Sequence, residues 1–423
     1  MLPLAALSAA AVLLADLSSP PAECRGPLTP GAVVRCALAV SPAVRVAEAE
    51  VDAAAGRKEA ARPRLPSNPH VEITAAARRG LWNGERDVNV YGRLSQELEI
   101  AGQRKKRLAA ADADLAGQRT RVEAVRREVA ALALSYYYEA LAAAEQKAML
   151  DRMVAAAGAL IDLAETGARA GLTSQIGADV VAANLVRLRQ QQIDAGRRVT
   201  AAHVQLAALL GHDPIHPPVS AAGALAPLPV PEDSDALADA AEQRRAELAV
   251  LTAEREFHAR RADALRRQRA PNPSLVLFAQ RDGFAERVLG GGVAFPIPLP
   301  HPLGRTYAGE IAEARAYMRR AEADREQLRR SVRAEVAVAA AALRARRDEL
   351  AAFDPARLAR AEQHLAALAQ EMAVGRLPIR DAVVMQQTLL DYLLAHIEAR
   401  RAVCLAAVEL VRAAGLLPEV GVP

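Results

Sequence analysis

A chain of 423 residues has room for two or three domains, yet only 3 % of it is aromatic while 52 % is apolar, much of that alanine. Such a composition suits close-packed helices and excludes a thick globular core. The formal net charge is +4, with arginine interspersed among glutamate and aspartate; this reads as solvated helical faces, and no nucleic-acid partner is expected.

Met1 to Ala15 is apolar in the manner of a secretory h-region, so residues 1–22 read as a signal peptide, although the usual basic n-region is missing. No later stretch of 18 residues is apolar without a charge, so no transmembrane helix is expected. An exported chain of this kind is periplasmic, secreted or a β-barrel protein. Cys24, Cys36 and Cys404 form no C-x-x-C pair, and no disulfide framework is expected. Cys24 follows Glu23, a poor setting for lipid attachment, and Cys404 falls in a heptad row as a small core residue.

Thr29 and Pro30 open a helix predicted to run to Arg62, with Val33, Ala37, Val40, Val44, Ala47 and Val51 as its apolar stripe. Pro63, Pro66 and Pro69 break it. A β-hairpin is predicted over 71–100, with a polar turn around Trp82. In its second strand Val88, Val90, Leu94, Leu98 and Ile100 alternate with Asn89, Tyr91, Arg93, Ser95, Glu97 and Glu99, the period-two signature of a strand with two unlike faces. After Gly102 the period changes. Leu108, Leu115, Val122, Val129 and Tyr136 recur every seventh residue, with Val125 and Leu132 adding a second row. The long helix predicted over 103–166 would extend roughly 90 Å, far more than a compact domain uses. A turn with Gly171 at its tip leads to a helix over 173–210, and a proline-rich linker fills 211–235.

The pattern then repeats at a distance of 204 residues, which relates Asn272 to Asn68 and Gly375 to Gly171. The second copy, 236–417, reads as a helix, a hairpin over 274–299, a long helix over 305–372 and a last helix over 379–414. Pro355 either kinks that long helix or starts a new segment. Val383, Leu390, Ile397, Cys404 and Val411 form another sevenfold row. Gly290-Gly291-Gly292 marks a place where something packs closely.

Strands of eight to eleven residues suit a bilayer crossing. Val88, Val90 and Leu94 would then face lipid, and Asn89, Arg93 and Ser95 the lumen. Four strands cannot close a barrel, and open edges are not tolerated in lipid. Either several chains pool their strands, or the hairpins form a small soluble sheet capping a helical bundle.

No catalytic constellation is present: neither G-x-S-x-G nor H-E-x-x-H occurs, and the triple glycine is followed by no Lys-Ser/Thr. The chain is read as no enzyme, with no cofactor. His212 and His216 sit in the proline-rich linker and read as surface residues, Met149 and Met153 as core, so no metal site is expected. Tyr136-Tyr137-Tyr138 spans several helix faces, mixing packing with exposure.

The layout resembles the TolC-like outer-membrane efflux proteins, in particular their cation and heavy-metal branch. The residues that carry the resemblance are Asn68-Pro69, the run Leu94 to Arg104 (LSQELEIAGQR), Pro296-Ile297-Pro298-Leu299, and Gly309 to Ala316 (GEIAEARA). The likeness spans Pro30 to Leu417. It implies a mostly α fold with a small β part: a homotrimer whose twelve strands form one outer-membrane β-barrel in lipid, continuing into a periplasmic α-helical coiled-coil barrel. It further implies a passive duct, supplied by an inner-membrane, proton-driven efflux pump through a periplasmic adaptor protein, with metal cations among the candidate substrates. The turns at Gly171 and Gly375 would form the periplasmic aperture and adaptor contact, where Arg376, one position earlier than the family arginine, and Asp381 match a charged latch, and Arg380 is an additional charge. A second aspartate of the family pattern falls here on Val384. Ordinary helix-start stabilisation by Asp381 is the alternative to a latch, and a non-pore periplasmic coiled-coil scaffold or adaptor is the alternative to a duct.

Overall fold

The computed structural model describes residues 22–79, 84, 86–171, 174–281, 286–373 and 377–416. Nearly all of the expected signal peptide, Trp82, the Asp282-Gly283 turn, and Val374, Gly375 and Arg376 lie outside the described residues. In chain order the elements are β1 (Gly26–Leu28), α1 (Pro30–Val40), α2 (Pro42–Ala60), β2 (His70–Arg79), β3 (Arg86–Glu97), α3 (Gln103–Arg169), α4 (Gln175–Leu209) and β4 (Val219–Ala221). There follow α5 (Ser234–Arg244), α6 (Ala246–Arg267), β5 (Ser274–Arg281), β6 (Arg287–Ala294), α7 (Ala308–Ala351), α8 (Pro355–Ala373) and α9 (Ile379–Ala413). The chain divides into two units, residues 47–122 with 246–328, and residues 1–46 with 123–245 and 329–423.

The first of these units holds a four-stranded antiparallel sheet in the order β2-β3-β5-β6. The two hairpins are thus joined edge to edge through β3 and β5. Both inner strands end in a shared polar junction. Asn272 donates to Glu97 (2.8 Å), Gln103 donates to Asn272 (2.8 Å), and the amide of Leu98 reaches the Pro273 carbonyl (2.9 Å). Gln103 is buried there, so its pairing satisfies a group that would otherwise be costly to bury. Helices of this unit meet through small side chains, as where Gly117 faces Ala253, and through ion pairs such as Lys106–Asp263 (3.1 Å) and Arg57–Asp114 (2.7 Å). β6 ends at Ala294, short of the expected Leu299, because Pro296, Pro298, Pro300 and Pro302 withhold ladder donors.

The other unit contains the main apolar core, built from α1, α3, α4, α8 and α9 around Leu134, Tyr137, Leu188, Leu206 and Leu390. Here the structure corrects several expectations. The helix expected over 30–62 is two helices, since Pro42 offers no amide hydrogen and the chain turns at Ser41. The helix from 236 breaks at Arg245, 204 residues later, without a proline. The cause there is a close approach: Gly415, with φ +65°, leaves only 3.2 Å between a built Cβ and the Arg245 nitrogen, and Arg245 is buried against Glu335 (2.6 Å). Gly211, with φ +69°, stands in the same relation to Val40. The repeat thus extends to the fit of a left-handed helix end against a helix break. Pro355 opens a new helix, whose start Asp354 caps through the Ala356 amide (2.9 Å).

Cys24 and Cys36 form a disulfide, contrary to the expectation of none. The reason is topological. Residues 211–235, expected to be a plain linker, contain β4, and β4 pairs in parallel with β1. This pairing holds the chain before α1 against the core, and it brings Cys24 beside the first turns of α1. His212 is buried and lies 2.7 Å from the Cys24 carbonyl, so it is not a surface residue, whereas His216 is exposed. Tyr137 and Tyr138 are both buried, and the Tyr137 hydroxyl donates to the Ala222 carbonyl (2.8 Å). Met149, Met153 and Cys404 are core residues.

Candidate functional site

The sheet has two chemically distinct faces, and the register fixes both. Val88, Val90 and Leu94 stand on the face that also carries Val71, Ile73, Ala75 and Ala77 of β2, Leu275, Leu277 and Ala279 of β5, and Leu289 and Val293 of β6. Most of these apolar side chains are exposed: Ile73 by 76 %, Val88 by 53 %, Leu277 by 50 % and Leu289 by 86 %. Asn89, Arg93 and Ser95 stand on the opposite face with Tyr91, Glu72, Thr74, Val276, Phe278 and Gln280. There the side chains shelter one another, and every second residue of β5 is half-buried. Tyr91 stacks on Phe278 with ring centroids 6.1 Å apart. Gly290, opposite Phe278, has no room for a side chain, since a built Cβ would collide with the Phe278 ring. The triple glycine therefore accommodates a cross-strand aromatic. The apolar face carries arginines (Arg79, Arg86, Arg281, Arg287) only towards its turn end, and such a bare apolar face with a polar, aromatic-bearing reverse is the inverse of a soluble sheet. Among the described residues the outer edges of β2 and β6 have no partner strand.

In the other unit, α3 ends in a turn at Gly171, which adopts φ +71° as a helix C-terminus requires. Ser174 caps α4 by accepting from the Gly177 amide (3.1 Å). The start of α9 differs. Pro378 stands at the cap position with no side-chain hydrogen bond, and Asp381 is the acid of the first turn. Arg380 and Asp381 are exposed, and Asp381 makes no ion pair among the described residues. The structure therefore brings Asp381 together with a helix N-terminus and with no arginine among the described residues; Gly375 and Arg376 lie outside them. Near these turns Leu160, Ala164, Ala178, Val181 and Val383 form a small apolar cluster that ties α3, α4 and α9 together.

Two features here carry no signature that residue spacing alone reveals. One is a buried amide group in which Asn184 of α4 donates to Gln386 of α9 (2.8 Å) and accepts from Gln387 (3.0 Å). The other is an open cavity of about 1280 Å³ between α3, α4 and α9. Its lining includes four carboxylates (Glu139, Asp194, Glu398, Glu409) and three guanidiniums (Arg197, Arg198, Arg401). Asp194 holds Arg197 and Arg198, and Arg401 is held by Glu139 and Glu398. The fourth carboxylate, Glu409, is held by Arg412 from outside the lining, so each of these charges is paired, which suits a hydrated wall and not a selective ionic site. The Asp194 carboxyl lies below its ordinary pKa because Arg197 hydrogen-bonds to it.

The fold is that of the outer-membrane efflux channels. The chain superposes on the crystal structure of the Campylobacter jejuni CmeC outer membrane channel with a TM-score of 0.75, covering 93 % of this chain and 87 % of that one at 15 % identity. It superposes on CusC with a TM-score of 0.73, covering 92 % of each chain at 15 % identity. A membrane protein from Pseudomonas aeruginosa gives 0.74 over 93 % of this chain and 94 % of that one, at 19 % identity. In sequence the chain is 33 % identical over 346 residues to Protein CyaE of Bordetella pertussis, covering 78 % of this chain and 72 % of that protein. With residues 33–212 also matching the family described as outer membrane efflux protein, the chain belongs to the outer membrane efflux protein family. It is accordingly an outer-membrane protein that extends into the periplasm.

Proposed function

We propose that this chain is the passive outer-membrane duct of a tripartite efflux system, assembled as a homotrimer. The observation that carries the reading is the sheet: a bare apolar face, a polar reverse, and two edges unpartnered among the described residues. Pooling the strands of three copies removes every edge and leaves the polar face lining a water-filled barrel. Val88, Val90 and Leu94 then meet lipid, and Asn89, Arg93 and Ser95 the lumen. A periplasmic adaptor and an inner-membrane, proton-driven pump deliver the cargo, and the duct itself performs no chemistry. The turn at Gly171 and the segment around Gly375, Arg376, Arg380 and Asp381 form the periplasmic mouth and its adaptor contact. Metal cations as cargo are supported by the likeness of Pro296–Leu299 and Gly309–Ala316 to the cation branch. The neutralised side chains of the wall fit a duct whose selectivity lies upstream.

Purification in detergent, with mass measurement and conductance in planar bilayers, tests the assembly. A trimer that conducts is the expected result; a stable monomer without membrane association sinks the reading in favour of a periplasmic scaffold. Comparing the sensitivity of a deletion strain to divalent metal ions and to organic compounds tests the cargo, and sensitivity to organic compounds alone would remove the metal assignment.

A further inference from the structure

Ladder pairing of β6 stops at Ala294, opposite Ser274, but the apolar alternation does not stop there. Leu289 and Val293 are followed at the same parity by Phe295, Ile297 and Leu299, and these are exposed by 63 %, 82 % and 51 %. In the first hairpin the parity of Val90 and Leu94 likewise runs on to Ile100, exposed by 67 %.

Length gives this extension a purpose. At the usual strand tilt of about 40°, Leu289 to Val293 climbs about 10 Å, whereas the apolar band of an outer-membrane barrel is about 25 Å tall. Carried on to Leu299, the same stripe climbs about 25 Å. The backbone is suited to that place. Alternate residues are Pro296, Pro298 and Pro300, which have no amide hydrogen to leave unpaired where the ladder has ended. Basic residues follow the stripe at the same end of the sheet. Arg64 precedes β2, Lys105 follows β3 and Arg267 precedes β5; all three are exposed and make no ion pair among the described residues.

We propose that the proline-interleaved segment Phe295–Leu299, with Ile100, is a lipid-contacting collar at the periplasmic boundary of the outer membrane. Its apolar side chains sit at the junction of acyl chains and headgroups, and Arg64, Lys105 and Arg267 meet the lipid phosphates. The inference rests on the membrane reading of the sheet, because continuity with the apolar face selects lipid as the occupant.

The full-length chain can be tested in vesicles of phosphatidylethanolamine and phosphatidylglycerol. Trp82, the only tryptophan, is replaced by Phe, and either Ile297→Trp or, in mid-sheet, Leu277→Trp is introduced. Expected for Ile297→Trp is quenching by lipids brominated near the carbonyl end of the acyl chain, stronger than by lipids brominated near the chain terminus, and little quenching by aqueous acrylamide. Leu277→Trp should show the opposite preference between the two lipids. Quenching of Ile297→Trp by acrylamide alone, while Leu277→Trp responds to lipid, overturns the collar and leaves the membrane sheet standing. Protection of Ile297→Trp from both quenchers overturns it in favour of cover by a second copy of the chain. Failure of lipid to quench Leu277→Trp overturns the membrane reading itself. Leu299→Trp serves in the same way if Ile297→Trp does not assemble.

Discussion

Asp381 stands where two physical roles coincide. It is the acid of an otherwise uncapped first turn, and it borders the segment proposed to close the periplasmic mouth. The helix role is worth about 0.3–1 kcal/mol per chain. A latch pair at an exposed site is worth about 0–1 kcal/mol, which three symmetric copies would multiply. Asp381→Ala is expected to raise single-channel conductance in planar bilayers, whereas Asp381→Glu keeps it near wild type. Unchanged conductance in a trimeric Asp381→Ala variant would leave only the helix role, with the mouth held by the packing of Val383 and Leu390. Tyr137 is a simpler case. Its buried hydroxyl satisfies the Ala222 carbonyl, so Tyr137→Phe should cost about 1–2 kcal/mol in denaturant unfolding. Gly223 lies against the same hydroxyl, 2.7 Å from a built Cβ, with φ +133°; an alanine there should be at least as damaging.

Strands β3 and β5 are chemically two-sided, so their substitutions should sort by face. Val90→Arg or Leu94→Arg puts a charge on the apolar face and should impair membrane assembly by about 2–4 kcal/mol at mid-bilayer depth. Asn89→Arg and Ser95→Arg, on the polar face, should be mild. The measurement is the yield of heat-modifiable trimer in outer-membrane fractions, and equal losses on both faces would contradict the assignment. The β1–β4 pairing with the Cys24–Cys36 disulfide forms a strap over the start of α1. The two cysteines are 12 residues apart, so the chain-entropy estimate of their link is about 3 kcal/mol. The Cys24→Ser, Cys36→Ser double variant should therefore unfold at lower denaturant while keeping its secondary structure by circular dichroism. An unchanged midpoint would show that β-pairing and the His212 contact suffice.

Three histidines, His258 buried and His203 and His396 half-buried, make the whole fold sensitive to acid. Burial lowers the proton affinity of His203, His258 and His396. His258 also lies between Glu254, which favours its charge, and Arg261, which opposes it, and it stacks on Tyr317 at 5.1 Å. Because the folded values lie below the ordinary histidine value of about 6.5, the unfolded chain takes up protons first as pH falls. Stability should thus be full above about pH 6.5 and decline below it. The carboxylate Asp151, held down by Lys147 and Gln192, loses its contribution only at more acidic pH, which separates the two windows. Melting temperatures at pH 7.5 and 5.5 test this, the difference shrinking when all three histidines are replaced by Gln. An undiminished difference would assign the acid sensitivity elsewhere.

Period alone determined much of this protein. Two-residue alternation separated Val88, Val90 and Leu94 from Asn89, Arg93 and Ser95, because side chains of a strand must point to opposite faces. Sevenfold rows marked the long helices for the same geometric reason. The 204-residue repeat related Gly171 to Gly375 along the sequence. Only the tertiary structure decided the rest. The break at Arg245 has no proline to announce it and exists because Gly415 packs there. The disulfide depends on β4 returning beside β1, a pairing of three-residue strands about 190 residues apart, too short to leave a pattern. The Glu97–Asn272–Gln103 junction, the Asn184–Gln386 contact and the burial of His212 likewise join groups distant in the chain. Local periodicity reports which face a residue occupies; which distant backbone or side chain meets that face is settled by packing.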